Sequence, residues 1–376
     1  MNQNQKNVAE GEEQMKRTER FPRFALAFYA IAGLAAILYL IFLCSPRFSD
    51  FFNRYISSVL RGFLAHLTSW IPFSLAEFLL LLLPAIIVLL ALFGIRRYSD
   101  TWRNVGIYCG AILSVVALVF SLFAVGFAPG YRGTTLDEKL GLDRREVSAE
   151  ELYETAMILS DELQAMTGQI VYSGETNFSV MPYGYTELSE RLNEAYDLAC
   201  DEYAFVPRLR SRVKPVMLSR AMSYTHITGV YTFFTGEANI NVAFPDYTIP
   251  FTAAHELSHQ RGIAREDEAN FMAFLVCMES EDAYLRYSAF LNLYEYVASA
   301  LWSASPERYR EVYATLPNRV KAEMSAYSDF FDQYRDSVAG DVSEAVNDTF
   351  LTIHGTEGTK SYGMVVDLAV AYYRDR

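Results

Sequence analysis

Uncharged apolar runs crowd the first third of the chain, and shorter amphipathic patterns fill the rest. Phe24 to Ser45 is a run of 22 residues without a charge, Phe78 to Ile95 adds 18, and Val105 to Ala128 adds 24. A helix rises about 1.5 Å per residue against a bilayer core about 30 Å thick, so each run can cross one. Three in succession predict a three-span transmembrane anchor over residues 24–128 (24–45, 78–95 and 105–128) rather than three buried core helices. The first run is too long for a cleavable signal, lacks an A-x-A-like end, and is followed by two more. Between the first two, Phe51 to Trp70 mixes apolar and polar positions at helical spacing. Such a segment either lies on the membrane surface, with Trp70 among the headgroups, or packs against a folded domain.

From Pro129 onward the pattern changes to that of one soluble, mostly helical α+β domain, residues 129–376, with a small sheet. Ser148-Ala149-Glu150-Glu151 is a capping box opening a helix with Leu152, Leu159 and Leu163 on its apolar face. A second helix is expected from Glu187 to Tyr203. Gly229 to Thr235 and Ala238 to Phe244 are the strand candidates, joined through Gly236-Glu237. Helices then dominate: Ala253 to Gln260, Arg265 to Ser280, Ala283 to Trp302, one opened by Ser305-Pro306, and one after Pro317.

Charge refines this picture. The net charge is −13, yet residues 1–128 carry 11 basic and 7 acidic side chains and the remainder 21 and 38. So acidic a domain has no phosphate-neutralising surface, which excludes nucleic acid as a partner. A hydrophobic content of 52% excludes intrinsic disorder. Four cysteines lie far apart, with neither a disulfide framework nor a C-x-x-C pattern. Lys6, Lys16, Arg17, Arg20 and Arg23 in the tail, residues 1–23, and Arg96, Arg97 and Arg103 in the second loop are denser than Arg47, Arg54 and Arg61 in the first. The expected topology is multi-pass in the cytoplasmic membrane, with the tail inside and the domain outside.

One constellation points to chemistry: His255-Glu256-Leu257-Ser258-His259. Residues four apart on a helix share a face, so His255 and His259 can offer two imidazole nitrogens to one Zn²⁺. Glu256 lies about 100° round the helix, placed to take a proton from a water on the metal. Gly262 supplies a helix stop just beyond. A catalytic zinc needs a third protein ligand, and Glu266-Asp267-Glu268 opens the next helix. Glu266 is preferred over Glu268, because Ala269 and Ala273 on its face leave room for close approach while Glu268 shares its face with Met272 and Leu275. Asn270, one turn on, is placed to hydrogen-bond a ligand histidine from behind. A helix N-terminal acid favouring the dipole is the structural alternative for either glutamate.

The H-E-x-x-H helix followed by E-x-x-A-N resembles the arrangement in membrane metallopeptidases related to the CAAX prenyl endopeptidases, with Asn270 where those have aspartate. Six residues separate His259 from Glu266, far fewer than in those families, and Gly262 resembles the turn of metzincins. IPFSLAE (Ile71 to Glu77), FTGEANIN (Phe234 to Asn241) and HELSHQRGIAREDEANF (His255 to Phe271) look like one bacterial membrane family, catalogued as domain of unknown function 3810 and treated as zinc metallopeptidases. The resemblance implies a zincin-like domain and no particular substrate.

The expectation is therefore a hydrolase. Zn²⁺ is held by His255, His259 and Glu266, Glu256 acts as general base, and a peptide or protein near the lipid bilayer is the substrate. His226, Tyr231, His354 and Tyr362 have side chains suited to stabilising an oxyanion, although structural roles are the simpler reading for each. The ANIN strand resembles the edge strand on which zincins pair peptides, and Glu237 beside it could bind a substrate amine. Tyr284 to Tyr296 reads as core packing. The alternative from another class is a non-catalytic zinc-binding membrane sensor or assembly factor, with every coordination position closed by protein.

Overall fold

The computed structural model describes residues 20–356 and 364–374. They form two compact units, one up to Ile41 together with Glu77–Val125, the other Phe42–Ala76 together with the residues from Gly126 on.

The first unit is built from the three apolar runs. Its helices are α1 (Arg23–Cys44), α4 (Leu75–Tyr98) and α5 (Trp102–Gly126), each long and apolar enough to cross a membrane. Their outward surface is lined by exposed Leu, Ile, Val and Phe side chains, a surface water does not tolerate. Within the unit the Tyr29 hydroxyl donates to the Gly110 carbonyl at 2.8 Å and the Tyr108 hydroxyl to that of Leu90 at 2.6 Å. The Tyr108 ring occupies the space a Cβ at Gly94 would need, a close approach typical of small residues between apolar helices.

In the second unit the segment between α1 and α4 is helical, as its spacing predicts, and packs against the folded domain. It comprises α2 (Pro46–Phe52), a π-helical turn (Asn53–Ser57) and α3 (Ser58–Ser69). Ser49, Phe52, Ser57, Arg61, Ala65 and Thr68 form its buried face. After α5 come α6 (Pro129–Arg132), α7 (Leu136–Leu140), α8 (Ala149–Met166) and α9 (Tyr185–Glu202). The capping box at Ser148 is formed, with Glu151 reaching back to the Ser148 N–H at 2.9 Å.

A three-stranded sheet follows, from β1 (Val213–Pro215), β2 (Gly229–Thr232) and β3 (Glu237–Ile240), with α10 (Ser219–Ser223) between the first two. The spatial order is β1-β3-β2: β3 runs parallel to β1 and antiparallel to β2, with Val230 opposite Asn239. The strands are shorter than their apolar runs, because the chain turns at Gly236 (φ +72°) and the Asn241 side chain bonds the Ile227 carbonyl. The remaining helices are α11 (Thr248–Gln260), α12 (Glu266–Glu279), α13 (Ala283–Ala304), α14 (Pro306–Thr315), α15 (Asn318–Asp332), α16 (Val338–Ile353) and α17 (Val365–Arg374). Every residue of α11 is buried, and α12 is buried from Glu266 to Cys277. Helices enclosed on all sides belong at the centre of a core, and here α9, α13, α17 and the sheet pack against them.

Candidate metal centre

The helix that bears the histidines ends as the glycine predicts. The Ile263 N–H bonds the Ser258 carbonyl at 3.1 Å and the Gly262 N–H that of His259 at 2.9 Å, with Gly262 at φ +94°. This is a Schellman turn, and it brings α12 back alongside α11. Glu266, the first residue of α12, then faces both imidazoles. Its Oε2 lies 3.2 Å from His255 Nε2 and 3.4 Å from His259 Nε2. One donor atom from each of the three residues lies within 4.8 Å of the others, and all three side chains are buried.

These separations are compatible with two uses of the cluster, a shared ion or direct hydrogen bonding. Charge-assisted N–H···O⁻ hydrogen bonds close to about 2.7–2.9 Å. Two ligand atoms about 2.1 Å from one tetrahedral ion stand about 3.4 Å apart, close to the two separations of Glu266 Oε2 from the imidazoles. The protonation pattern fits as well. His259 Nδ1 is 2.7 Å from the Ile263 carbonyl, an acceptor only, so Nδ1 bears a proton, and on the neutral ring Nε2 is the nitrogen with the lone pair. Asn270 is therefore not the group that orients His259. Its Nδ2 is buried with no partner in hydrogen-bonding geometry among the described residues.

Without a metal, the three groups pair electrostatically. Burial would raise the Glu266 pKa, but the charge of His259 and hydrogen bonds from both histidines hold it well below the carboxylate range. Burial would lower His259, yet Glu266 raises it to about 9. Glu256, one position along α11, is different: burial pushes it up to about 7 against the pull of the two imidazoles. The Tyr231 backbone N–H donates to this carboxylate, and Glu256 Oε2 has no partner among the described residues. Gly229 at the start of β2 makes room for it, since a Cβ there would stand 2.8 Å from Glu256 Cγ.

Glu268 serves elsewhere: its Oε1 accepts the Leu136 N–H and an Arg265 N–H, both at 2.9 Å. Tyr231 belongs to the wall of the site, its ring against Phe127, which meets His259 edge-on, and its hydroxyl is buried without a partner among the described residues. His354 lies one ring further out, beside Tyr131, whose hydroxyl is pushed well up by burial and by the charge of Glu266. His226 is remote from the cluster in its bonding, held to the Tyr334 carbonyl at 2.8 Å and packed on Phe331. Tyr362 lies outside the described residues. The ANIN strand, β3, is the middle strand, paired on both sides, so it offers no open edge for a peptide; β2 is the edge strand nearest Glu256. Glu237 is buried and accepts the N–H groups of Leu75 and Ala76 at 3.1 and 2.9 Å, capping the start of α4 instead of waiting for an amine. Ser74 Oγ donates to Asn239 Oδ1 at 2.6 Å, so the IPFSLAE and FTGEANIN motifs are each other's partners. Tyr284, Tyr287 and Tyr294 are core residues, as their spacing predicts.

Sequence reasoning missed one buried cation. Arg61, on α3, reaches the end of α11: Nε to the Gln260 carbonyl at 3.0 Å and Nη2 to that of Arg261 at 3.2 Å. No local pattern marks it, because its partners lie about 200 residues away.

No curated protein and no solved structure matches the chain. A family model described as "Protein of unknown function (DUF3810)" matches residues 50–370, a span that takes in the segment bearing Arg61, the sheet and both helices of the site, and the chain belongs to that family.

Proposed function

We propose that this chain is a membrane-anchored zinc peptidase in which His255, His259 and Glu266 hold the ion and Glu256 is the general base. One observation carries the reading: three donor atoms meet at ion-like separations beside a buried carboxylate that keeps one oxygen free of partners. When bound, Zn²⁺ supplies Lewis acidity toward a water and a peptide carbonyl. Glu256 Oε2 takes the proton of the attacking water and hands it to the leaving amine. Burial pushes this carboxyl up to about 7 in the metal-free chain, and a cation beside it would favour the carboxylate form that accepts the proton. The Tyr231 hydroxyl is the candidate donor to the developing oxyanion.

The three apolar helices are proposed to span the bacterial cytoplasmic membrane, tail inside and catalytic domain outside, with a membrane-proximal peptide or protein as substrate. Parity supports the three spans: a segment between the first two and a domain after the third lie on the same side, and Phe42–Ala76 packs with the residues from Gly126 on. A second reading, a structural metal in a non-catalytic sensor, draws support from the burial of all four side chains. The deciding experiment compares wild type with Glu256→Gln, in detergent, on a fluorescence-quenched peptide library. Retained metal with hydrolysis abolished is expected. Equal hydrolysis in both proteins overturns the assigned base, and a metal-loaded wild type that cleaves nothing favours the sensor.

A further inference from the structure

Four consecutive carbonyls, that of Gln260 at the end of α11 and those of Arg261, Gly262 and Ile263 in the turn after it, take no part in the backbone bonds that close the helix. The segment between α1 and α4 takes the first three. Arg61 donates to Gln260 and Arg261, and Asn53 Nδ2 donates to Gly262 at 2.9 Å. The fourth, Ile263, holds His259 Nδ1 at 2.7 Å.

We infer that Arg61, seconded by Asn53, is a positioning residue of the metal centre, acting on His259 through the Gly262 turn. The inference rests on the metal-site reading above and extends it to a part of the chain about 200 residues away.

Three features support it. Arg61 is buried, 1% exposed, and all of its donors are used: Nη1 also reaches the Gly126 carbonyl at 2.6 Å and Asn53 Oδ1 at 2.8 Å, and Nη2 the Asn53 carbonyl at 3.1 Å. A planar guanidinium with five donors fills this cradle of oxygens, whereas a lysine ammonium with three cannot. Its charge also stands at a helix C-terminus, where the macrodipole favours a cation. Burial lowers its pKa to about 10, which leaves it charged at neutral pH. Finally, there is no slack in the turn. A Cβ at Gly262 would lie 2.5 Å from Asn53 Oδ1 and 2.7 Å from Arg61 Cζ, so segment and turn are in direct contact. Moving the turn moves the Ile263 carbonyl, which sets both the tautomer and the orientation of His259.

The test uses the full chain in detergent, with Zn²⁺ affinity read by competition against a chromophoric chelator well below the unfolding temperature. Co²⁺ loading adds a ligand-field spectrum as an independent readout. Partners that orient a ligand histidine change metal affinity by about 10–100-fold when removed, and Arg61→Met is expected to fall in that range and to alter the Co²⁺ spectrum. Arg61→Lys should recover part of the loss. Lys214→Met is the control for a merely structural role. Lys214 holds the Thr68 and Ile71 carbonyls of the same segment without touching the turn, so its loss should lower stability and leave affinity unchanged. If Arg61→Met does not fold, Asn53→Ala, which deletes the bond to Gly262 and one of the Arg61 Nη1 contacts, tests the same route with a loss of a few fold. Wild-type affinity in the folded Arg61 or Asn53 variants overturns the inference and leaves the metal site standing. A wild type that takes up neither Zn²⁺ nor Co²⁺ overturns both.

Discussion

Gly229 offers the sharpest way to separate catalysis from metal binding. Its backbone is not in the left-handed region, so Gly229→Ala acts through space alone. The new Cβ would stand 2.8 Å from Glu256 Cγ and 2.9 Å from Cδ. Carbon atoms rest about 3.5–4.0 Å apart, so the carboxylate or the strand must yield by about 1 Å. A reacting group displaced that far loses about 10²-fold in rate, or about 2.7 kcal/mol of barrier. The overpacking itself costs about 1–3 kcal/mol of stability. The Cβ of Gly229→Ala meets Glu256 and not the proposed ligands His255, His259 and Glu266, so occupancy should not change. The assay measures kcat on a peptide selected with wild type, alongside zinc content of the same preparation. Expected is normal zinc with kcat down about a hundredfold. A variant with wild-type kcat, or one that loses zinc in step with activity, refutes the reasoning.

Two further outcomes follow from the same geometry. In the metal-free chain, His259 is raised from 6.5 to about 9, so its pairing stabilises fully below pH 6.5 and is lost as pH climbs toward 9. Glu266 is depressed from 4.5, so its contribution is present above that pH and is lost on acidification. Glu256, raised from 4.5 to about 7, contributes below pH 4.5 and loses that contribution as pH rises to 7. Chemical denaturation of the chelated protein should therefore show its greatest cluster-dependent stability near pH 4.5, with His259→Ala removing the part of the decline between about pH 7 and 9. Stability that rose steadily to pH 9 would contradict this. A fragment beginning at Pro129 loses Asn53, Arg61, Asp50 and Ser74 together, and with them the bonds to Gly262, Gln260, Thr134 and Asn239. It should elute as an aggregate and hold no stoichiometric zinc; a monomeric, zinc-loaded fragment would refute the joint construction of the domain.

What could be read from the sequence was whatever leaves a local mark. Uncharged runs declare α1, α4 and α5 because every position in them is apolar, and Ser148 with Glu151 declares a helix start because both capping partners sit within four residues. His255, His259 and Glu266 were legible because helix periodicity and one glycine turn bring them together. Beyond that range the pattern is silent. Arg61 reads as a loop charge, Glu237 as a turn residue open to a ligand, and Gly229 as the start of a strand; each is defined by a partner more than 25 residues away. The Ile263 carbonyl is invisible for another reason, since every residue has a backbone carbonyl and only the fold selects this one. β1 escapes because three residues, Val213–Pro215, are too few to show a period, and its presence is what turns β3 from an edge strand into a central one.

The clamp on the Gly262 turn also orders events in time. Asn53 and Arg61 leave the ribosome about 200 residues before the carbonyls they hold, with two apolar helices to be threaded in between. A nascent chain holds Asn53 and Arg61 without their acceptors until the Gly262 turn has been made. The cluster around Glu266 is therefore finished last, only after the two ends of the fold have met.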